Sequence, residues 1–161
     1  MLKYDIKVDL NTGELYIETT LKGKSLLTTS LLNKGTAFTR DEREQLQLLG
    51  KLPAKIETLD DQITRIKKQY YKYRGAMHRN IFLSNLHDKN EILFYKLVSG
   101  HMQDMIPMIY TPMVGAAVKR FSHEFRQPRG LYITYEDKDY IEAILNNRTH
   151  SNINVIVVTD G

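Results

Sequence analysis

The segment Thr58-Leu59-Asp60-Asp61-Gln62-Ile63-Thr64-Arg65-Ile66-Lys67-Lys68-Gln69-Tyr70-Tyr71-Lys72-Tyr73-Arg74-Gly75 decides what kind of fold this is. Ile63, Ile66, Tyr70 and Tyr73 recur at the three- and four-residue spacing that stacks side chains on one face of an α-helix. Asp60 and Asp61 fall in the first turn, where unpaired N–H groups favour negative charge, and Gly75 supplies a stop. The same kind of pattern recurs along the chain, so a mainly helical domain is predicted.

Upstream, Thr39 and Glu42 have the spacing of a reciprocal capping box ahead of Leu46, Leu48 and Leu49, which predicts a helix that starts there and stops at Gly50. Asn33-Lys34-Gly35 breaks the chain before it. Earlier still, Asp5 to Leu10 and Glu14 to Glu18 alternate apolar and polar residues on either side of Asn11-Thr12-Gly13, which is a hairpin signal.

Downstream, Ile81, Phe82 and Leu86 mark one helix, Ile92, Leu93, Tyr95, Lys96 and Val98 a second between Lys89 and Gly100, and a third runs from about His101 toward Ile109. Tyr110-Thr111-Pro112 follows. Proline suits a first helical position, because its missing N–H would have no partner there, and Thr111 can cap the helix, so Tyr110 is expected just outside a helix N-terminus. After Phe125 the character changes: Leu131 to Tyr135 reads as a strand, Asp137 to Leu145 as a helix, and Ile153 to Val158, almost wholly apolar and β-branched, as a buried parallel strand. Strand, helix, strand makes one βαβ unit, and two strands make a poor parallel sheet, so the sheet is expected to continue past Gly161.

Composition narrows the functional classes. Hydrophobic residues at 42% and charged residues at 26% lie near the averages for globular chains, which argues against wholesale disorder. No apolar run is long enough to span a membrane, and the charged start lacks the apolar region of a secretory signal. The absence of cysteine removes disulfides, thiolate metal sites and cysteine nucleophiles, and a cytoplasmic location is expected. The five histidines, at 78, 87, 101, 123 and 150, never fall three or four apart, so none forms a one-helix metal pair.

The formal net charge of +4 is exceeded by six cations, Arg65, Lys67, Lys68, Lys72, Arg74 and Arg79, in a stretch without acids. With Tyr70, Tyr71 and Tyr73 among them, the stretch has the composition of a nucleic-acid surface. Helical spacing assigns Tyr70 and Tyr73 to the apolar face, which leaves Lys67, Lys68 and Lys72 as a wet face and predicts no nucleic-acid partner.

Five further segments stand in a fixed order: Asn33-Lys34-Gly35-Thr36-Ala37-Phe38-Thr39; Leu52-Pro53 with Ile56-Glu57-Thr58; Asn90-Glu91 with Leu93-Phe94-Tyr95; Pro107 with Ile109-Tyr110-Thr111-Pro112 and Val114-Gly115; and Arg129-Gly130 followed at a distance by Val157-Val158-Thr159-Asp160-Gly161. Together, from about Leu31 to Gly161, they resemble malic enzymes, whereas the first thirty residues match no such segment. The resemblance implies a mainly α N-terminal helical domain followed by the first βαβ unit of an α/β domain, truncated here. Residues 1–30 are then an extension with a hairpin, 31–128 the helical domain, and 129–161 the incomplete start of the substrate domain.

It also implies chemistry: oxidation of malate by NAD or NADP, decarboxylation assisted by Mg²⁺ or Mn²⁺, and protonation of the resulting enolate to pyruvate. Tyr110 matches the proton-donating tyrosine of the family's Tyr-Thr-Pro motif. A phenol with a pKa of about 10 is protonated at neutral pH and needs a neighbouring cation to release its proton quickly. The lysine that supplies it in the family, the metal carboxylates and the dinucleotide site match no segment here, so no cofactor or metal is expected on this chain alone. In some animal members two arginines of the helical domain hold the activator fumarate. Arg65 matches the first and Lys89 occupies the place of the second, where an ammonium keeps the charge but not the planar two-point grip of a guanidinium. A homo-oligomer, dimer or tetramer, is expected, and a non-catalytic helical association module is the alternative use of the isolated chain.

Overall fold

The computed structural model describes residues 4–124, 126–148 and 153–159. Its first element is the expected hairpin: β1 (Tyr4–Val8) pairs antiparallel with β2 (Leu15–Thr19), Ile6 opposite Ile17 and Val8 opposite Leu15. Asp9 closes the turn. Its carboxylate accepts from the Asn11 N–H at 2.8 Å, and its carbonyl accepts from the N–H of Gly13, whose φ of +73° suits a residue without Cβ. The two-residue period puts Tyr4, Ile6, Val8, Leu15 and Ile17 on one face; Tyr4, at its end, packs on the small core, and the other four remain exposed.

That core is Leu26 from α1 (Gly23–Leu27) with Leu32, Phe38 and Leu48. The capping box forms as the spacing predicts: Thr39 accepts from the Glu42 N–H and Glu42 from the Thr39 N–H, opening α2 (Arg40–Gln45). The helix ends well before Gly50. Gln47 adopts φ +57°, the Leu48 N–H donates to the Arg43 carbonyl at 2.8 Å and the Gln47 N–H to the Glu44 carbonyl at 3.3 Å, a Schellman ending made without glycine. Burying Leu48 completely is what favours this early reversal, since a longer helix would carry it out of the core.

Arg43 is buried with no carboxylate partner among the described residues, and its guanidinium donates to the carbonyls of Phe38, Pro53 and Thr36 at 2.9, 2.8 and 3.0 Å. It thereby joins two loops that have no ladder of their own. Gly35 has a similar local reason: at φ +58° it lies where an added Cβ would sit 2.3 Å from Oε1 of the buried Gln62, whose amide bonds the Lys34 carbonyl and the Thr36 N–H.

The larger core belongs to α3 (Leu59–Lys72), α4 (Ala76–Lys89), α5 (Glu91–Gly100) and α6 (Met102–Ile109). Ile63, Tyr70, Leu83, Leu93, Phe94, Leu97, Val98 and Met105 are buried together, with Ile66 packed against them. Thr58 and Asp61 form a second capping box for α3, and Asn90, itself buried, caps α5 by accepting from the Leu93 N–H at 2.9 Å. Glu91 joins the two cores: its N–H reaches the Ser30 carbonyl at 3.0 Å and its carboxylate takes the Ser30 hydroxyl at 2.6 Å.

After α7 (Met113–Lys119) the expectations are met less well. Leu131 to Tyr135 and Ile153 to Val158 form no strand, and the hairpin is the only sheet among the described residues. The intervening helix is a single-turn 3-10 segment (Lys138–Tyr140) and a six-residue α8 (Ile141–Asn146). The physical reason is that a strand's backbone groups need a neighbouring strand, and none lies beside either segment. Val157 and Val158 are 86% and 87% exposed, so this end contributes no core. His150, Asp160 and Gly161 lie outside the described residues.

Candidate functional site

Tyr110 sits at the joint between α6 and α7. Its N–H donates to the Ile106 carbonyl and its carbonyl accepts from the Val114 N–H, both at 2.8 Å, so its backbone is tied to the helix on either side. It is the residue that terminates α6, and α7 begins with Pro112 as its cap residue and Met113 as its first helical residue. Thr111, the expected cap, makes no capping bond among the described residues, and Pro112, expected as the first helical residue, is instead the cap, one place ahead of it. Tyr110 is 66% exposed, its ring standing off the core instead of filling it.

A polar pair lies behind the joint. Asn80 of α4 is 5% exposed, and its amide Nδ2 donates to the Met108 carbonyl at 2.7 Å. Arg126 donates from Nη1 to Asn80 Oδ1 at 2.9 Å, while its buried Nε has no acceptor among the described residues. Met108 lies in the last turn of α6, where carbonyls lack helical donors, and the residue four places on is Pro112, which has no N–H to offer. Sequence reasoning missed Asn80. The available signal was an amide three residues before Leu83, on the buried stripe of α4, where an apolar residue is the ordinary choice.

Asn80 and Arg126 line one side of a cleft of about 300 Å³ that also takes in Ile109, Val114, His87 and Arg129. Ile109 and Val114 flank the Tyr110 segment in sequence. Arg129 is fastened to α4 by the Asp88 carboxylate, at 2.9 Å from Nε and 2.7 Å from Nη2. His87 stacks on Phe94 with ring centroids 4.2 Å apart, and burial, followed by the nearby Arg129 charge, holds its pKa below the usual histidine value.

The other candidate residues lie elsewhere. Arg65 donates to Glu57 Oε1 at 2.8 Å, and the same carboxylate accepts the Thr36 hydroxyl at 2.9 Å. The Thr36 bond, then Arg65, keeps the Glu57 carboxyl below its ordinary range. Arg65 lines a shallow groove with Lys68 and Lys72, whereas Lys89, at the exposed end of α4, lines neither this groove nor the cleft.

Of the tyrosines in the basic stretch, Tyr70 turns inward and Tyr73 is half-buried, while Tyr71 stays exposed. Tyr70 is fully buried, Tyr71 donates to the Asp104 carboxylate at 2.7 Å, and the Arg79 guanidinium lies 5.3 Å from the Tyr70 ring centroid. Among the described residues no three His, Asp or Glu side chains converge as a metal ion would require, and no helix is long and apolar enough to cross a membrane.

Comparison with known proteins adds to this geometry. Residues 87–161 match the family model described as malic enzyme, N-terminal domain. NAD-dependent malic enzyme 2 of Vibrio vulnificus is 48% identical over 139 residues, covering 86% of this chain and 25% of the relative. NAD-dependent malic enzyme of Aliivibrio fischeri is 48% identical over 151 residues (94% and 26%), and NAD-dependent malic enzyme 3 of Bacillus subtilis is 46% identical over 151 residues (92% and 27%). The chain thus spans about a quarter of the length of the curated relatives it matches. Covering 94% of the chain requires reaching into the first thirty residues, so the hairpin segment is not wholly outside the resemblance.

Proposed function

From the premise that this chain belongs to the malic enzyme family, we propose that it supplies the proton donor, Tyr110, to the oxidative decarboxylation of malate to pyruvate and CO₂. The observation that carries the reading is a tyrosine 66% exposed on a backbone bonded to two helices, within the family's Tyr-Thr-Pro motif. A ring packed only for stability would be buried, as Tyr70 is.

In the proposed step the Tyr110 O–H bond breaks and its proton forms a C–H bond at the nucleophilic carbon of the enolate left by CO₂ loss. The phenolate is then reprotonated through a cation. When bound by the remainder of the enzyme, NAD, the cofactor named for the relatives, or NADP would supply the hydride acceptor and Mg²⁺ or Mn²⁺ the Lewis acid. The described residues do not assemble a metal site of their own. Leu131 to Tyr135 and Ile153 to Val158 would join the sheet of a substrate domain that further polypeptide completes, within a homo-oligomer.

Tyr110→Phe, in a polypeptide extended past Gly161, is expected to lower kcat for pyruvate formation by about 100-fold or more while leaving the thermal melt unchanged, because only a hydroxyl is lost. Near-normal turnover would sink the reading. The chain of 161 residues alone is expected to form no pyruvate from malate and NAD. Arg65 and Lys89 are read first as solvated helix charges and only second as a dicarboxylate-effector pair, because a lysine cannot give the planar two-point grip and the two line no common groove. The engagement of Arg65 by Glu57 bears on that pairing, and a fumarate response unaltered in Arg65→Ala would end it.

A further inference from the structure

We propose that Asn80 is a positioning residue for Tyr110, fixing the end of α6 through one donated hydrogen bond to Met108. The inference rests on the proton-donor reading of Tyr110 and extends it to a residue that never meets substrate.

The orientation of the Asn80 amide follows from its two neighbours. A guanidinium only donates and a carbonyl only accepts, so the amide oxygen must face Arg126 and the nitrogen Met108; the flipped amide would set donor against donor and acceptor against acceptor. Arg126 therefore aims Asn80, and Asn80 occupies the carbonyl that Pro112 cannot serve. Tyr110 lies two residues past that carbonyl. Its own backbone bonds, to Ile106 and from Val114, stay within the α6–α7 joint, whereas the Asn80 bond ties the joint to α4, and the Arg126 bond ties α4 to the segment beyond α7. Burial at 5% makes the arrangement demanding, because an unmatched amide or carbonyl there has no water to turn to.

The test uses the extended, malate-converting polypeptide. Asn80→Asp keeps size and an acceptor for Arg126 but turns an oxygen toward the Met108 carbonyl. Displacing a reacting group by about an ångström costs on the order of 10- to 100-fold in rate, so kcat is expected to fall by that much while KM for malate moves less than about threefold. In the Tyr110→Phe background the same change is expected to add little, since no hydroxyl remains to be positioned. Equal proportional losses in both backgrounds, or a normal kcat, overturn the proposal.

If the aspartate variant fails to fold, Arg126→Met decides the matter, because it removes the donor that holds Asn80 Oδ1 from the far side and should give the same kcat-selective loss that vanishes without the Tyr110 hydroxyl. The two readings fail differently. Normal turnover in Tyr110→Phe alone removes the donor role and this inference with it, whereas a crippled Tyr110→Phe beside a harmless Asn80→Asp removes only the inference.

Discussion

The helices from Leu59 to Lys119 and the segments 131–148 and 153–158 are comparably rich in apolar residues, yet the former build a core and the latter lie open. In α5, Leu93, Phe94, Leu97 and Val98 are at most 8% exposed, while Val155, Ile156, Val157 and Val158, just as apolar and with higher strand propensity, are at least 76% exposed. A helix satisfies its backbone hydrogen bonds within its own segment and needs partners only for one face. A strand needs a neighbour before it has any ladder at all. Apolar composition thus measures the demand for burial, and pairing decides whether the demand is met.

The contrast can be broken by mutation. Leu97→Ala, at a fully buried position, is expected to destabilise the chain by about 3 kcal/mol in a denaturant melt, whereas Val157→Ala is expected to stay within about 0.5 kcal/mol. In a polypeptide extended past Gly161, the Val157 effect should rise to about 1 kcal/mol or more as the strand gains a sheet. An unchanged value would mean that this segment is not a core strand of the larger protein.

A smaller effect sharpens the comparison on the helical side. Thr58→Ala removes the hydroxyl that accepts from the Asp61 N–H, and should cost about 1 kcal/mol without altering activity. A cost near zero would show that packing, and not the cap, sets where α3 begins.

The smallest expected effect is acid sensitivity. His87 has a lowered pKa in the folded chain, so its contribution is complete above the ordinary value of 6.5 and falls away as pH drops below it, because the unfolded chain then binds the proton more readily. Glu57, also lowered, acts in the same direction but in a later window, below its ordinary 4.5. Melts taken between pH 7.5 and 5.5 should therefore show a mild loss that His87→Gln abolishes. A loss persisting in that variant would place the titrating group elsewhere.

How much was legible in the residues follows the same division. The capping box of α2, the hairpin and the apolar face of α3 depend on contacts a few residues apart, so spacing alone revealed them, whereas the second box, Thr58 with Asp61, was seen only in the structure. The Schellman reversal at Gln47 was not visible, because it depends on Leu48 finding a cavity beside Leu26 and Phe38. Tyr110 was found through its motif, but its true surroundings, the terminal turn of α6 in place of a proline-started helix, emerged only from the packed structure. Asn80 and Arg126 were invisible for the same reason: 46 residues separate them, and nothing in either neighbourhood announces the other.

What the sequence settled unaided was the family and the helices from Leu59 to Ile109, and it nominated Tyr110 as a candidate, since each is written in residue types at short, fixed intervals. What the tertiary structure alone decided was which polar groups meet across the chain: the guanidinium of Arg43 on two loops, and the Asn80 amide on the carbonyl that Pro112 leaves unserved. The reason is that buried hydrogen bonds must be matched donor to acceptor wherever the backbone brings them, and that place is fixed by packing.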